Sequence, residues 1–360
     1  MTTANPSAVA PQWKVVHDAL VGAGVQSFLN GSLGSRTTYR VGGNGAVVAE
    51  VASFADLVHV SRVLREHSVQ EVLIVGNGSN MLVSDDGYNG LAIVLNAVGP
   101  DEIFVDDEGA VVVSGHVSLP QMARQSVSLG RCGLEWAVGV PGTVGGAIRM
   151  NAGGHGSDMA TSVIDAVIVD IFAGRSAHVD AADLGLRFRA SALGVHHVVA
   201  SVRLATASAG GDEGRDVHNG RACSEEISEI VRWRREHQPG GQNAGSVFVN
   251  PGTETKSAGA LIDATGLRGL RMGTAVVTEK HANFIQSDPG GRANDVLALM
   301  SHVQDAVLQR HGIRMRSEVT LVGFDPEISA RFADDRRDDP NVVRLRDKLN
   351  AIVASGVQVS

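Results

Sequence analysis

Residues 139–156 of this sequence collect the backbone N–H groups that could bind a phosphate. They read GVPGTVGGAIRMNAGGHG, and seven of these eighteen residues are glycine. Because glycine loses more backbone entropy on folding than other residues, such a run is unfavourable unless main chain must approach something closely. A flexible linker is the alternative, but a linker would not carry apolar residues such as Val140 and Val144. The run therefore predicts a loop that holds a ligand with its main chain.

A second stretch of this kind is VGNGSN, at residues 75–80, which follows the apolar run EVLI. A buried strand that ends in such a turn presents free N–H groups together with serine and asparagine side chains, which suits a phosphate or a pyrophosphate. Taken alone, a hairpin turn of the same composition is an equal alternative. With the glycine run at 139–156 included, a bound dinucleotide is favoured.

Three further stretches hold side chains that could take part in a reaction. Arg187 and Arg189 alternate with apolar residues in GLRFRASAL, and an arginine facing an interior site would clamp a carboxylate or a phosphate. Ser246 follows a glycine in QNAGSVFVNP, and Glu318 enters the strand-like run of MRSEVTLVG. On the residues alone, solvated arginines on an edge strand, a turn serine and an exposed acid are the simpler explanations.

The elements that must position these residues follow one another irregularly. Capped or amphipathic stretches predict helices at 14–29, from Ser53, from Ser118 to Gly130, from Ser224, in AGALIDATGL and from Asn294 to Gln309. Apolar runs predict strands at EVLIV, LAIVLNAV, AVVVSGHVS, VIDAVIVDIFA, HHVVASVRLA, HANFIQS and SEVTLVGF. This uneven order indicates an α+β fold rather than a doubly wound sheet. The glycine-rich stretch 205–222 predicts a domain boundary, and the charged tail from 326 predicts a surface helix or disorder.

Composition and charge restrict the functional class. A chain of 360 residues is expected to form two or three domains, and its net charge of −8 argues against a general nucleic-acid binder. Cys132 and Cys223 show no metal-type spacing and are predicted to be small core or surface residues, as thiols in a reducing compartment. No apolar run approaches the ~20 residues that span a bilayer, and no secretory signal is apparent, so the expected location is the cytoplasm without membrane insertion.

Eight stretches, taken in order, resemble the UDP-N-acetylenolpyruvoylglucosamine reductase family, the flavoenzymes of peptidoglycan precursor synthesis. They are SRTTYRVGG, VGNGSN, GVPGTVGGAIRMNAGGHG, FRAS, AGSVFVNP, AGALIDATGLRGLRMG, EKHANFI and SEV. The resemblance covers roughly residues 30–323. The resemblance implies an α+β protein with a two-lobed FAD-binding domain of the vanillyl-alcohol-oxidase type and a third α+β domain that binds the UDP-sugar. The implied divisions are an N-terminal extension at 1–30, FAD-binding lobes at 31–95 and 96–207, a linker at 208–222, the substrate-binding domain at 223–325 and a charged tail at 326–360.

The resemblance also implies a reaction in two halves. NADPH passes a hydride to FAD, and reduced FAD passes it to the enolpyruvyl double bond, which leaves UDP-N-acetylmuramate. From their positions in the family's motifs, Arg189 and Glu318 are expected to stabilise the enolate-like intermediate, and Ser246 is expected to donate the proton. An arginine suits this role because it stays charged and can fork onto a carboxylate. A carboxylic side chain would help only where burial keeps it protonated.

The same motifs imply which residues bind the cofactor and the substrate. The expected FAD contacts are Tyr39, Gly76, Asn77, Gly78, Ser79, Asn80, Gly139, Pro141, Gly142, Thr143, Gly145, Gly146, Asn151 and Gly153. Asn250, Lys280 and His281 are expected to bind the UDP-sugar. No metal is expected, the partners are the UDP-sugar and NADPH, and a monomer is favoured.

The sequence departs from the family at three points. Phe188 replaces a tyrosine, and Val249 replaces a lysine expected near the substrate's phosphates. Another basic residue would have to supply that charge: Lys256, Arg268, Arg271 or Lys280. Tyr39 and Tyr88 are the only tyrosines, so the chain is expected to fall in the subclass without the substrate-clamping tyrosine loop. Two alternatives stay open, namely another flavin oxidase or dehydrogenase acting on an alcohol or hydroxy acid, and a non-catalytic binder of FAD or a UDP-sugar.

Overall fold

The computed structural model describes residues 9–99, 103–208, 220–252, 255–333 and 340–359. The helices are α1 (Pro11–Gly22), α2 (Phe54–Glu66), α3 (Leu119–Ser128), α4 (Val144–Met150), α5 (Met159–Ser162), α6 (Gly220–His237), α7 (Ala258–Ala264), α8 (Ala293–His311), α9 (Pro326–Phe332) and α10 (Pro340–Ala354). Within the described ranges, none of these helices has the length and apolar character needed to cross a membrane.

The strands are short and fall into several small sheets. They are β1 (Gln26–Ser32), β2 (Asn44–Val51), β3 (Val72–Val75), β4 (Met81–Val83), β5 (Tyr88–Leu95), β6 (Phe104–Val105), β7 (Val111–Ser114), β8 (Arg131–Cys132), β9 (Gly153–Gly154), β10 (Ser157–Asp158), β11 (Val163–Asp170), β12 (Arg175–Asp180), β13 (His197–Leu204), β14 (Ala207–Ser208), β15 (Arg271–Met272), β16 (Ala275–Val277), β17 (Ile285–Ser287), β18 (Thr320–Val322) and β19 (Val357–Gln358).

The first lobe is a four-stranded sheet in the order β1-β2-β5-β3. β1 runs antiparallel to β2, whereas β2, β5 and β3 are parallel. Helix α2 begins after Ser53, whose hydroxyl accepts the N–H of Asp56, and it buries Leu57, Val60 and Leu64 against the sheet. The turn at 76–80 follows the end of β3, so this sheet carries the first predicted phosphate-binding stretch.

The second lobe is a six-stranded antiparallel sheet in the order β19-β12-β11-β13-β7-β6. Helix α3 begins after Ser118, as the sequence predicts, and it packs on this lobe. The glycine run contains α4, which begins after Thr143 and ends at Asn151. Helix α6 also packs here, because its Ile230 lies in the same hydrophobic core.

The third unit packs helices α7 and α8 against the small antiparallel sheet β15-β16-β17. Its hydrophobic core also takes in Tyr39 and Val41 from the first lobe. Helix α8 ends at Gly312, which has a φ of +69°. Strand β18 does not join this sheet and instead pairs in parallel with β4, so the chain returns to the first lobe.

Both terminal regions differ from the sequence predictions. The predicted helix at 14–29 ends at Gly22, and β1 begins at Gln26, because Gly24 turns the chain with a φ of +84°. The charged tail is more than a surface helix, since α10 buries Leu349 and Val353 and β19 extends the second lobe's sheet. Charge dominates its composition, but its apolar residues recur at helical spacing and form a buried face. Residues 1–8 and 334–339 lie outside the described ranges.

The two cysteines are joined as a disulfide between Cys132 and Cys223, so the expectation of two thiols is wrong. Cys132 ends β8 and Cys223 lies in the first turn of α6, and both are buried. They are 91 residues apart in sequence, and they meet only because α6 packs on the second lobe. Helix α6 begins at Gly220 rather than Ser224. Of the predicted boundary 205–222, residues 209–219 lie outside the described ranges.

Candidate active site

Arg189 and Glu318 meet although one belongs to the second lobe and the other follows the third unit. Arg189 Nε lies 3.4 Å from Glu318 Oε2, and the two side chains are 27% and 17% exposed. Partial burial makes such a pair stronger than one at the open surface. Arg189 Nε has no hydrogen-bond partner within the described chain, so the ion pair is not aligned as a hydrogen bond. The pair therefore holds the guanidinium in place and leaves a buried donor for another group.

The loop that carries Arg189 has an uncommon backbone conformation. Arg189 has a φ of +56°, in the left-handed region that few side chains adopt. A bridge between Arg187 and Ala190 closes the turn, and Arg189 Nη2 lies 3.5 Å from the carbonyl oxygen of Gly153. The prediction of an edge strand here is wrong, because this segment is a tight turn. Strained residues cluster at functional sites, so the conformation is separate support for a role of Arg189.

Hydrogen bonds to both backbone groups of Glu318 fix this residue from two sides. Its N–H donates to the carbonyl oxygen of Val247 at 2.8 Å, and Asn80 Nδ2 donates to the Glu318 carbonyl oxygen at 2.9 Å. Thr320, at the start of β18, donates its N–H to the carbonyl oxygen of Asn80 at 2.9 Å. The glycine turn thus ends in a residue that holds the Glu318 segment against the first lobe.

Ser246 lies on the segment that pairs with the one carrying Glu318. Phe248 forms an antiparallel bridge with Ser317, and its side chain is almost fully buried. The side chain of Asn283 bonds both backbone groups of Phe248, at 3.0 and 2.8 Å. This pairing places the half-buried Ser246 beside the Glu318 segment, so the three predicted catalytic residues come from neighbouring pieces of chain.

The glycine turn at 76–80 and the glycine run lie directly against each other. Ser79 Oγ donates to the carbonyl oxygen of Pro141 at 3.3 Å. A Cβ added to Gly76 would lie 2.6 Å from Thr143 Oγ1, and one added to Gly142 would lie 2.9 Å from Ser79 Oγ. Side chains at these glycines would push the two stretches apart. The two predicted phosphate-binding stretches therefore form one continuous surface, which we call the glycine surface (residues 76–80 and 139–146).

The start of helix α4 offers this surface no free N–H groups. The N–H groups of residues 144–146 donate to protein oxygens at 2.8 to 3.2 Å. Gly145 and Gly146, both expected to contact the cofactor, can therefore do so only by close approach and not by donating their N–H groups.

The turn, in contrast, has unpaired donors. The N–H groups of residues 77–79 have no protein acceptor within the described chain. Thr38, which bonds the carbonyl oxygen of Gly78, has a buried hydroxyl without a partner, and so has the adjacent Tyr39. Burial raises the pKa of Tyr39, so its hydroxyl keeps its proton. These orphaned donors fit the phosphates and hydroxyls of a dinucleotide.

Three other expected cofactor residues have structural partners. Asn151 ends α4 with a φ of +39°, and its Nδ2 donates to Asp158 Oδ2 at 3.1 Å. A Cβ on Gly153 would lie 2.5 Å from that of Asp158, its partner in the β9-β10 hairpin. A Cβ on Gly139 would lie 2.9 Å from His155 Nε2. These contacts set the path of the glycine run.

The residues expected to bind the substrate already contact the protein. Asn250 Oδ1 accepts the first N–H of α7 at 2.9 Å, and Lys280 Nζ donates to the carbonyl oxygen of Arg235 at 2.9 Å. Burial and the guanidinium of Arg268 lower the pKa of His281, which keeps that ring neutral near pH 7. Lys280 therefore joins the third unit to the end of α6.

Of the four residues that could replace the family lysine at Val249, three are engaged elsewhere: Lys280, as described, and two arginines. Arg268 pairs with Asp263 and Arg271 with Asp288, each at 2.6 Å. Lys256 is exposed just before α7 and stays available.

Sequence reasoning missed a cluster of rings on helix α6 beside the glycine run. The Trp233 ring stacks on His237 with centroids 4.6 Å apart, and it meets His155 edge-on at 5.1 Å. Burial and the nearby Arg234 lower the pKa of His155. The spacing of Trp233 and His237, four residues apart in a predicted helix, was the available signal. This ring cluster (His155, Trp233 and His237) fixes the second half of α6 against the glycine run.

Comparison with known sequences identifies two domains in the chain. Residues 45–171 match an FAD binding domain, and residues 237–322 match the UDP-N-acetylenolpyruvoylglucosamine reductase C-terminal domain. The chain is 37% identical over 294 residues to UDP-N-acetylenolpyruvoylglucosamine reductase from Gloeobacter violaceus, covering 81% of this chain and 95% of that protein. It is 38% identical over 294 residues to UDP-N-acetylenolpyruvoylglucosamine reductase 2 from Symbiobacterium thermophilum, covering 81% and 90%.

A solved structure shares the fold. The crystal structure of UDP-N-acetylenolpyruvylglucosamine reductase (MurB) from Thermus caldophilus is similar with a TM-score of 0.67 at 29% identity, covering 83% of this chain and 98% of that one. The predicted α+β architecture, a two-lobed FAD-binding domain followed by a third domain, is confirmed.

Proposed function

Because the chain belongs to the UDP-N-acetylenolpyruvoylglucosamine reductase family, we propose that it uses bound FAD and NADPH to reduce UDP-N-acetylenolpyruvoylglucosamine to UDP-N-acetylmuramate, a step of peptidoglycan precursor synthesis. The observation that carries the proposal is the partly buried ion pair of Arg189 and Glu318, with Ser246 on the adjoining segment. A protein that only binds a flavin or a UDP-sugar would not need this arrangement.

The glycine surface would hold FAD. The free N–H groups of residues 77–79 and the hydroxyls of Thr38 and Tyr39 would bind its phosphates and sugar, and the bare main chain of the glycine run would lie against it. When bound, FAD supplies the chemistry of accepting a hydride from NADPH and giving it to the substrate. Gly139, Asn151 and Gly153 would act by keeping the run in shape.

Arg189 would bind the carboxylate of the enolpyruvyl group. An enol ether accepts a hydride poorly, so negative charge that develops toward the carboxylate must be stabilised. The Nε donor of Arg189 makes no hydrogen bond within the described chain although it lies in the ion pair with Glu318, and its guanidinium stays charged. Glu318 would orient the guanidinium through the ion pair and take part in stabilising the intermediate.

Ser246 would hold the proton that completes the reaction. Hydride addition leaves a carbon that must be protonated, and a positioned hydroxyl can supply the proton at its Oγ. A serine hydroxyl is a weak acid, so the pairing that places Ser246 beside the Glu318 segment is the feature on which this role depends.

The third domain, residues 223–325, would bind the UDP part of the substrate, with FAD held by residues 31–95 and 96–207. Asn250, Lys280 and His281 lie in this part of the chain and carry the contacts proposed for the substrate. Helix α6 would then link the two parts, because it packs on the second lobe and bonds Lys280. A cytoplasmic location and a monomeric state stay predictions.

The first test is a visible absorption spectrum of the purified protein under anaerobic conditions. We expect a flavin band that NADPH bleaches and that UDP-N-acetylenolpyruvoylglucosamine restores, which would establish both half-reactions. A band that bleaches but returns only with oxygen would leave a flavoprotein with another acceptor and would overturn the substrate assignment.

A further inference from the structure

The chain has two cysteines, and the fold brings both together. Cys132 and Cys223 lie at bonding distance, with Cα atoms 6.1 Å apart, and the described chain holds no free cysteine. Their side chains are 0% and 1% exposed. Cysteine is rare in this chain, and both cysteines meet in the interior from different elements. This pairing favours a functional disulfide over two unrelated core residues.

This pair joins helix α6 to the second lobe at one end of the helix. Cys132 ends β8, which pairs with β14, and Cys223 lies in the first turn of α6. From there α6 runs toward the proposed active site. Its other end carries the ring cluster against the glycine run, and Arg235 there accepts a bond from Lys280 of the third domain.

We propose that Cys132 and Cys223 are an oxidative modification site whose disulfide fixes helix α6 to the FAD-binding part of the molecule. In the step, two thiols lose two protons and two electrons to an oxidant of the disulfide or hydroperoxide class, and the Sγ–Sγ bond forms. A dithiol or a phosphine returns the electrons and breaks the bond. The proposal goes beyond the reductase activity and does not depend on it.

The surroundings favour a durable bond over exposed reactive thiols. Both sulfurs are shielded from solvent, and the buried carboxylate of Glu135 lies within 4.8 Å of them. Disulfide exchange needs an attacking thiolate to reach one of the two sulfurs, and their burial prevents that contact. Reduction should therefore be slow in the folded protein and fast once urea exposes the pair.

A metal site built from the same residues is less well supported. Cys132, Glu135 and Cys223 could in principle offer three ligand atoms to zinc. However, both oxygens of Glu135 already accept the N–H of Gly133, at 3.0 and 2.8 Å, and the sulfurs are bonded to each other.

The first experiment counts thiols. The folded protein, purified without reductant and incubated with oxidised glutathione, is denatured and titrated with a thiol reagent, and its intact mass and zinc content are measured. We expect no free thiol, a mass lower by two hydrogen atoms, and two thiols after reduction with a phosphine. Two thiols before reduction, a glutathione adduct or one equivalent of zinc would overturn the proposal.

The second experiment asks whether the bond holds α6. Hydrogen exchange of the first half of α6 and the midpoint of thermal unfolding are compared between oxidised and reduced protein. We expect exchange there to be about tenfold faster after reduction and the midpoint to fall by about 5 °C, because the bond constrains a long loop. The double variant Cys132→Ser, Cys223→Ser is the control. Its hydrogen exchange and unfolding midpoint should match those of the reduced protein and should not change when the phosphine is added. Equal exchange in the two redox states would overturn the proposed role, whatever the enzyme activity.

Discussion

At the scale of single residues, Arg189 is restrained in two ways that act on different bonds. The left-handed turn fixes the direction in which the Arg189 side chain leaves the backbone. The Glu318 carboxylate fixes the position of the guanidinium group. Arg189 Nε lies 3.4 Å from Glu318 Oε2 in this ion pair, but it makes no hydrogen bond within the described chain. A donor held in this way needs little reorganisation when negative charge appears beside it, which is the condition for effective electrostatic stabilisation.

Ser246 gives a prediction that separates the two half-reactions. Replacing Ser246 with alanine removes the proposed proton donor and leaves the FAD and NADPH contacts intact. We expect NADPH to bleach the flavin at the normal rate. The UDP-sugar should restore the flavin band about 10²–10⁴-fold more slowly than in the unmutated protein. Stopped-flow absorbance measures both steps on one sample, so the first step is the control. Unchanged turnover in Ser246→Ala would exclude the serine as the donor.

At the scale of elements, the glycine surface depends on two loops from different lobes fitting without side chains between them. Gly76 and Gly142 each face a hydroxyl group of the opposite stretch. The first helical N–H groups of α4 hold the run to the second lobe, whereas the N–H groups of residues 77–79, in the turn after β3, have no acceptor within the described chain.

Gly76 tests this arrangement. Its substitution by alanine would put a methyl group 2.6 Å from Thr143 Oγ1 and push the turn away from the run. We expect the Kd for FAD to rise about tenfold or more, because such overpacking typically costs about 1–3 kcal/mol. Fluorescence titration of the apoprotein with FAD measures it. Gly22→Ala, where the added group meets nothing within 4 Å, is the matched control and should bind FAD normally.

At the scale of the whole molecule, the tail is part of the FAD-binding unit. Leu349 of α10 is fully buried in the second lobe's core, whereas Val343 of the same helix is 43% exposed. We expect Leu349→Ala to lower the free energy of unfolding of that lobe by about 2–5 kcal/mol, and Val343→Ala to change it by no more than about 0.5 kcal/mol. Urea unfolding of the two variants measures the difference. Equal losses would mean that the tail is not packed in this core.

The helices that begin after Ser53 and Ser118, the end of α8 at Gly312 and the turn at 76–80 could be predicted from sequence, because they depend on local pattern. Strands β1 and β2 and helices α4 and α5 were not predicted. The pairing of β18 with β4 and of Cys132 with Cys223 could not, since both join segments far apart in the chain. The candidate site was found through family motifs, while the alternation around Arg189 alone favoured an exposed strand. What the sequence could not show is which N–H groups of the glycine surface are free.

The third domain is attached to the FAD-binding unit at both of its ends. Its chain enters through α6, held on the second lobe, and leaves through β18, paired with β4 of the first lobe. The core of the third domain also includes Tyr39 and Val41 of the first lobe. A wide swing on a single hinge to admit the UDP-sugar would therefore require both that core and the pair of β18 with β4 to separate.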